Sequence, residues 1–137
     1  MRDRFVDTSG WACLVDPAEP HHARTTDLID EVWQARRRLI TTTYVLAELT
    51  GLFLRLRVPR ARQIAFLDDL RSDPSVVVVP VEPTFYDAAW QLWRSRPDKD
   101  WTLVDCASFV VMPAGGLTEA VTTDHHFEQA GFVRLLT

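Results

Sequence analysis

Apolar residues along this chain recur with two spacings, and the two alternate. Short, dense apolar runs at 4–7, 39–41, 76–79, 120–123 and 133–136 are strand-like in length and in their share of Val, Ile and Phe. Val76-Val77-Val78-Val79 is wholly β-branched and predicts a strand buried on both faces. Between these runs the apolar positions fall three and four apart. Residues 23–37 place Leu28, Ile29, Val32 and Trp33 on one helical face. Residues 43–56 do so with Val45, Leu49, Leu52, Phe53 and Leu56, and residues 60–71 with Ile64, Phe66, Leu67 and Leu70. Pro83 suits a helix start, and 84–96 carry Phe85, Ala88, Ala89, Leu92 and Trp93 on one side, with Trp90 off that stripe. Residues 102–114 form a nearly all-apolar helix stopped by Gly115-Gly116, and 124–130 a short one closed by Gly131. Thr8-Ser9-Gly10 reads as a turn, followed by a helical turn at 11–15. Strands alternating with helices predict an α/β fold, a parallel sheet with helices on both faces. No repeat or long linker interrupts the order, so one domain over residues 1–137 is expected.

Four carboxylates break this pattern. Asp7 and Asp124 each stand directly after a predicted strand, which puts them on one rim of the sheet, where α/β folds build their sites. Glu48 interrupts the apolar run Tyr44 to Leu49, at the edge of its helix stripe and so at the border of the core. Asp105 lies in the first turn of an apolar helix, where the positive end of the helix dipole favours it. Buried unpaired carboxylates are costly, so such residues are protonated, paired or metal-bound. Four of them converging on one rim would offer oxygen-only ligation, which suits magnesium or manganese. Each also has a plainer use: Asp7 and Asp124 as helix caps, Asp105 in a capping box with Thr102, Glu48 as an arginine's partner.

Composition narrows the function. The 137 residues are 47% hydrophobic with a formal net charge of −4, enough apolar content for a core and the wrong sign for binding nucleic acid by bulk charge. An enzyme that acts on nucleic acid stays open, because metal-binding carboxylates enter that sum as negative. Arginines cluster at 36–38 and at 55, 57, 60 and 62, in the pattern of solvated helix ends. Cys13 and Cys106 sit among apolar neighbours, without metal-binding spacing, and read as core residues. No apolar leader opens the chain, and the longest apolar stretch is too short to span a bilayer, so a soluble cytoplasmic protein without membrane contact is expected.

Phe5-Val6-Asp7-Thr8-Ser9 resembles the opening of PIN-domain proteins, and Tyr44 to Leu49 resembles their first acidic helix. Asp100 to Phe109 is similar to their third motif, and Thr122 to Phe132 to their closing one. The four occur in family order over essentially the whole chain, and its short length most resembles the VapC-type toxins of toxin–antitoxin pairs. The resemblance implies a PIN-like three-layer α/β/α fold with a mainly parallel central sheet. It implies a magnesium-dependent endoribonuclease, with manganese able to substitute. Asp7, Glu48, Asp105 and Asp124 would be the catalytic and metal-binding quartet: Asp7 as central ligand, Asp105 and Asp124 as direct or water-mediated ligands, Glu48 on the metal or the attacking water. It also implies an RNA substrate, a cognate antitoxin and a homodimer.

Other readings stay open at this stage. A PIN-type nuclease that processes RNA without an antitoxin fits the same residues, and so does a silent PIN-like module that works by protein contacts. A receiver-like phosphoryl-transfer domain also gathers acids at strand ends, but it needs a lysine near the last strands, and the single lysine, Lys99, lies in a polar loop. Thr8, Ser9 and Thr123 are placed to bond a carboxylate or phosphate, although turn formation explains them equally. Asp100 reads as a surface-loop residue. His125-His126 follows Asp124 and could face the site as an acid or a substrate contact, but adjacent histidines on a helix point apart, so at most one of each pair can serve one site, and His21, His22, His125 and His126 read as surface or packing residues. Trp90 is the best candidate for an exposed contact.

Overall fold

Parallel strands cannot be joined by tight turns, so in this chain the return between strands runs through helices. The computed structural model describes residues 1–137. Strands β1 (Arg4–Val6), β2 (Leu39–Thr42), β3 (Val76–Val79), β4 (Glu119–Val121) and β5 (Val133–Arg134) form one sheet in the order β3-β2-β1-β4-β5, with every neighbouring pair parallel. Helices α1 (Thr8–Val15) and α2 (His22–Gln34) follow β1, and α3 (Thr43–Arg55) and α4 (Arg60–Ser72) follow β2. Helices α5 (Pro83–Ser95) and α6 (Leu103–Ala114) link β3 to β4, and α7 (His126–Gln129) links β4 to β5. Helix α1 packs on α2 and α3, and α5 on α6, which gives the expected α/β/α layering with a wholly parallel sheet.

The core is one cluster of 25 buried residues drawn from every strand except the edge strands β3 and β5. It includes Phe5, Leu28, Val45, Phe53, Phe109 and Phe127. Cys13 and Cys106 are buried and unbridged, as their apolar neighbours predict.

Thr8-Ser9-Gly10 is not a turn. Asp7 has an extended backbone, and its carbonyl accepts from Trp11 N–H at 3.1 Å, so α1 begins directly after β1. Gly10 permits this. A Cβ there would lie 2.2 Å from the Val121 carbonyl oxygen, the same oxygen that accepts from Asp7 N–H at 3.2 Å. The close approach of α1 to β4 therefore depends on the missing side chain.

Several predicted burials are corrected. Val76–Val79 is half-exposed on its whole length, because β3 is an edge strand paired only with β2, and β-branching does not distinguish an edge from a centre. The stripe of α3 is narrower than read: Val45, Leu49 and Phe53 are buried, while Leu56 is exposed at the helix end. On α4, Ile64 faces solvent and Gln63 is buried, its side-chain amide donating to the Val58 carbonyl at 2.8 Å and so closing the end of α3. Trp93 and Trp33 are exposed as well as Trp90.

Helices α2 and α3 end alike, in the Schellman motif, in which the two amides that follow the last helical turn bond back into the helix. Arg36 N–H reaches Trp33 O and Arg37 N–H reaches Val32 O; Arg57 N–H reaches Leu54 O and Val58 N–H reaches Phe53 O. Arg36 and Arg57 occupy the left-handed position, at φ 56 and 57, where glycine is favoured. Replacing either by glycine is expected to raise stability by about 1 kcal/mol, whereas Gly10→Ala is expected to lower it by about 2 kcal/mol or more. Urea unfolding of the three variants beside the parent checks both signs.

Candidate active site

The sheet order sets the location. From β1 the chain moves outward to β2 and β3, then crosses back to add β4 and β5 on the other side. The crevice at the carboxyl ends of β1 and β4 is thus the point where the winding reverses, where open α/β sheets form sites. Val6 pairs in register with Val121, so Asp7, directly after β1, is a neighbour of the segment from Thr122 to Asp124. Helix α3 starts at the end of β2 and brings Glu48 to this rim, and the first turn of α6 brings Asp105.

Each carboxylate is held by one oxygen. Asp7 stands at the N-cap position of α1, yet its side chain caps no amide. Its Oδ2 instead accepts from the Thr122 hydroxyl at 3.0 Å, and the residue is 5% exposed. Because the Thr122 hydrogen goes to Asp7, the Ser9 hydroxyl 3.1 Å away donates to Thr122, whose oxygen also accepts from Asp124 N–H at 3.0 Å. Ser9 in turn accepts from Thr123 N–H at 3.0 Å, and this chain of bonds ties α1 to the end of β4. Asp105 completes the expected capping box: its amide donates to the Thr102 hydroxyl, and its Oδ2 accepts from Thr102 N–H, each at 3.0 Å. Asp124 Oδ1 accepts from His126 N–H at 2.9 Å, opening α7. Glu48 Oε1 accepts from the Thr8 hydroxyl at 2.5 Å. The second oxygens of Glu48, Asp105 and Asp124 have no protein donor. The capping uses and the shared site are therefore compatible, because capping takes one oxygen and leaves the other.

Burial pushes the Asp7 carboxyl up to about 7, against the pull of the Thr8 amide and the Thr122 hydroxyl, and the Asp105 and Glu48 charges add to the rise. Asp105 is raised too, first by burial and then by the Asp124 and Glu48 charges, with the Thr102 amide and His126 opposing. The four carboxylates thus feel one another, and the two innermost resist ionisation. Acids coupled in this way, with free oxygens, are a donor set that suits a hard divalent cation, and the ligand atoms of Asp124, His125 and His126 lie within 4.8 Å of one another at the same rim.

Glu48 differs from its expected place: it is exposed, because the buried stripe of α3 runs through Val45, Leu49 and Phe53 and leaves position 48 on the solvent side of the rim. Thr122 was not singled out from the sequence, although its place two residues before Asp124 at a strand end was a usable signal. His126 is not a surface residue remote from the acids. Its Nδ1 lies 2.9 Å from Asp124 Oδ1 and 3.6 Å from Asp105 Oδ2. His125 is exposed, and His22 bonds the Cys13 carbonyl at 2.8 Å, away from the rim. Asp100 is an exposed loop residue, as expected.

Residues 4–133 match the PIN domain family. The chain is 30% identical over 132 residues to the 23S rRNA-specific endonuclease VapC20 of Mycobacterium tuberculosis, covering 96% of each chain. It is also 30% identical over 146 residues to Ribonuclease VapC41 of the same organism, covering 96% of this chain and 95% of the relative. The crystal structure of M. tuberculosis VapC20, described as a Sarcin-Ricin loop cleaving toxin, superposes with a TM-score of 0.80 at 28% identity over 94% of this chain and 95% of that one. FitAcB from Neisseria gonorrhoeae shares the fold, with a TM-score of 0.64 at 15% identity over 95% of this chain and 94% of that one.

The raised Asp7 carboxyl makes a signed prediction. A folded pKa above the unfolded one adds stability below the unfolded value, near pH 4, and that contribution is lost as pH rises through about 7. In chelator, the protein is expected to lose about 4 kcal/mol of this contribution between pH 4 and 8, and Asp7→Asn to abolish the loss and be the more stable form at pH 8. Manganese is expected to raise the melting temperature of the parent at pH 8 far more than that of the variant. Thermal melts across pH, with and without the ion, check all three outcomes.

Proposed function

The chain belongs to the PIN domain family, and from that premise we propose that it is a metal-dependent endoribonuclease acting as the toxin of a toxin–antitoxin pair. The observation that carries this reading is that Asp105 lies within electrostatic reach of Asp7, Glu48 and Asp124 at the β1/β4 rim, while one oxygen of each acid is held by a neighbouring hydroxyl or amide. Near-complete coverage of VapC20 and VapC41 at 30% identity supports the same activity.

Magnesium, or manganese in its place, would be held by the quartet, where it would neutralise the charge of an RNA phosphodiester and activate water. The remaining work falls to the protein. Thr122 holds one oxygen of the Asp7 carboxylate, and the Thr102 amide does the same for Asp105, which sets the direction of both side chains. Glu48, the solvent-facing member held by Thr8, would bind the ion or orient the attacking water. Asp124 is fixed by the first turn of α7.

RNA is the substrate, and ribosomal RNA is the first to test, because VapC20 is named for 23S rRNA. A cognate antitoxin and a homodimer belong to the same reading. Two surface features support a protein partner: the exposed aromatic row Tyr86, Trp90 and Trp93 on α5, and a mixed groove between α3 and α4 where Leu54 and Ile64 are exposed beside Thr50 and Arg60. No helix is long and apolar enough to cross a membrane, and a cytoplasmic location belongs to the same reading, since that is where ribosomal RNA would be met.

The partner-free chain, incubated with a pool that includes ribosomal RNA, is expected to cleave in magnesium or manganese and not in chelator. Asp7→Asn and Asp105→Asn should each reduce cleavage on the order of 100-fold or more, the several kcal/mol that metal stabilisation is worth, while keeping native circular dichroism. Full activity in folded Asp7→Asn would sink the assignment.

A further inference from the structure

His126 is the nearer of two nitrogen donors beside the acids, and the proposed mechanism uses neither. It stands on the first turn of α7, its backbone amide bonded to Asp124 Oδ1, so its position is fixed relative to that carboxylate. Its side chain is 20% exposed, against 62% for the adjacent His125. Its Nδ1 is 2.9 Å from Asp124 Oδ1 and 3.6 Å from Asp105 Oδ2, whereas the His125 Nδ1 is 3.9 Å from Asp124 Oδ1. Neighbouring ligand atoms around a six-coordinate ion with bonds of about 2.1 Å lie roughly 3.0 Å apart. The His126–Asp124 spacing matches that edge, with Asp124 Oδ1 binding through the lone pair that the His126 amide leaves free, and the His126–Asp105 spacing, to the oxygen that caps α6, exceeds it by a small rearrangement; the His125 spacing does not match.

We propose that His126 is a ligand of the metal centre, supplying Nδ1 beside the carboxylates of Asp105 and Asp124, and that it biases the site toward manganese over magnesium. The inference rests on the carboxylate–metal reading above and goes further in naming a donor and a selectivity. Magnesium prefers oxygen and gains little from an imidazole, whereas divalent first-row transition ions gain from it. A site made only of Asp7, Glu48, Asp105 and Asp124 would discriminate weakly between the two ions. Adding His126 makes the discrimination depend on one side chain. The short contact also has a plainer account, in which the ring only donates a proton to Asp124 and steadies it. That account predicts that losing His126 weakens both ions alike.

The experiment uses the full chain loaded with less than one equivalent of manganese, read by pulsed electron paramagnetic resonance for coupling to ligand nitrogen. Titration calorimetry with manganese and with magnesium runs beside it. Nitrogen coupling is expected in the parent and in His125→Ala and is expected to vanish in His126→Ala. Histidine-specific labelling with nitrogen-15 changes the coupling in the parent itself, so the result does not depend on the variant folding. Manganese affinity should fall about tenfold or more in His126→Ala, the range seen when a group supporting a metal is removed, while magnesium affinity changes much less. Manganese bound without nitrogen coupling, or equal losses for the two ions, overturns the proposal and leaves the carboxylate centre standing. Failure of the parent to bind either ion removes the carboxylate–metal reading and the proposal together.

Discussion

The contact on which the rest of the site depends is the bond from the Thr122 hydroxyl to the buried carboxylate of Asp7. An acid this deeply enclosed resists ionisation, and a single hydroxyl does not offset the burial, so its pKa stays near neutrality. What the bond does is fix direction. It ties the residue after β1 to the residue after β4, across the two paired strands at which the winding of the sheet reverses. The Ser9 hydroxyl and the Thr123 amide extend the tie into α1, and Gly10 lets that helix come close enough for it to form. The strain of an under-solvated charge is thereby stored at one point on a rigid frame. A bound cation would relieve it there, which couples ion binding to stability through Asp7.

A second economy lies in the helix caps. The start of α6 needs a carboxylate for its capping box, and the start of α7 takes one from Asp124. A capping carboxylate spends one oxygen on the backbone and keeps its orientation as a result. The local rule that favours aspartate at helix starts therefore supplies site residues that are already oriented. Asp7 departs from the rule. It occupies the cap position of α1, and its side chain turns away from the helix toward Thr122, leaving the cap unmade. That departure marks it as the acid whose placement the helix itself does not explain.

These facts set what could be read along the chain. The order of strands and helices, the parallel sheet and the shared rim of Asp7 and Asp124 were legible, because periodicity and strand ends are local properties. The capping box of Asp105 was legible for the same reason. Burial on β3 and α4 was misread, since Val76–Val79 and Ile64 are apolar wherever they lie and only the sheet order shows that β3 is an edge. Thr122 was passed over, and His126 was read as a surface or packing residue, because their importance is relational: each matters through a partner 115 or 21 residues away in sequence, Asp7 for the first and Asp105 for the second. The exposed position of Glu48 was likewise hidden, because a helical stripe gives the direction of the core but not where the helix leaves it.

Charge poses the remaining question, since an acidic chain must approach a polyanion. With a formal net charge of −4, and with Glu48, Asp105 and Asp124 in one crevice, the metal-free rim repels phosphate. On the proposed reading, a divalent ion reverses the local sign at the place where the scissile phosphate must sit. Substrate binding and catalysis then require the same ion, and general affinity for nucleic acid is not needed. The exposed arginines at 36–38 and 55–62 add attraction only over short distances, because at physiological salt their field decays within about 8 Å. Selection of one RNA then has to come from shape and a few contacts near the crevice, which is how folded RNA is told apart by proteins that lack a positive surface.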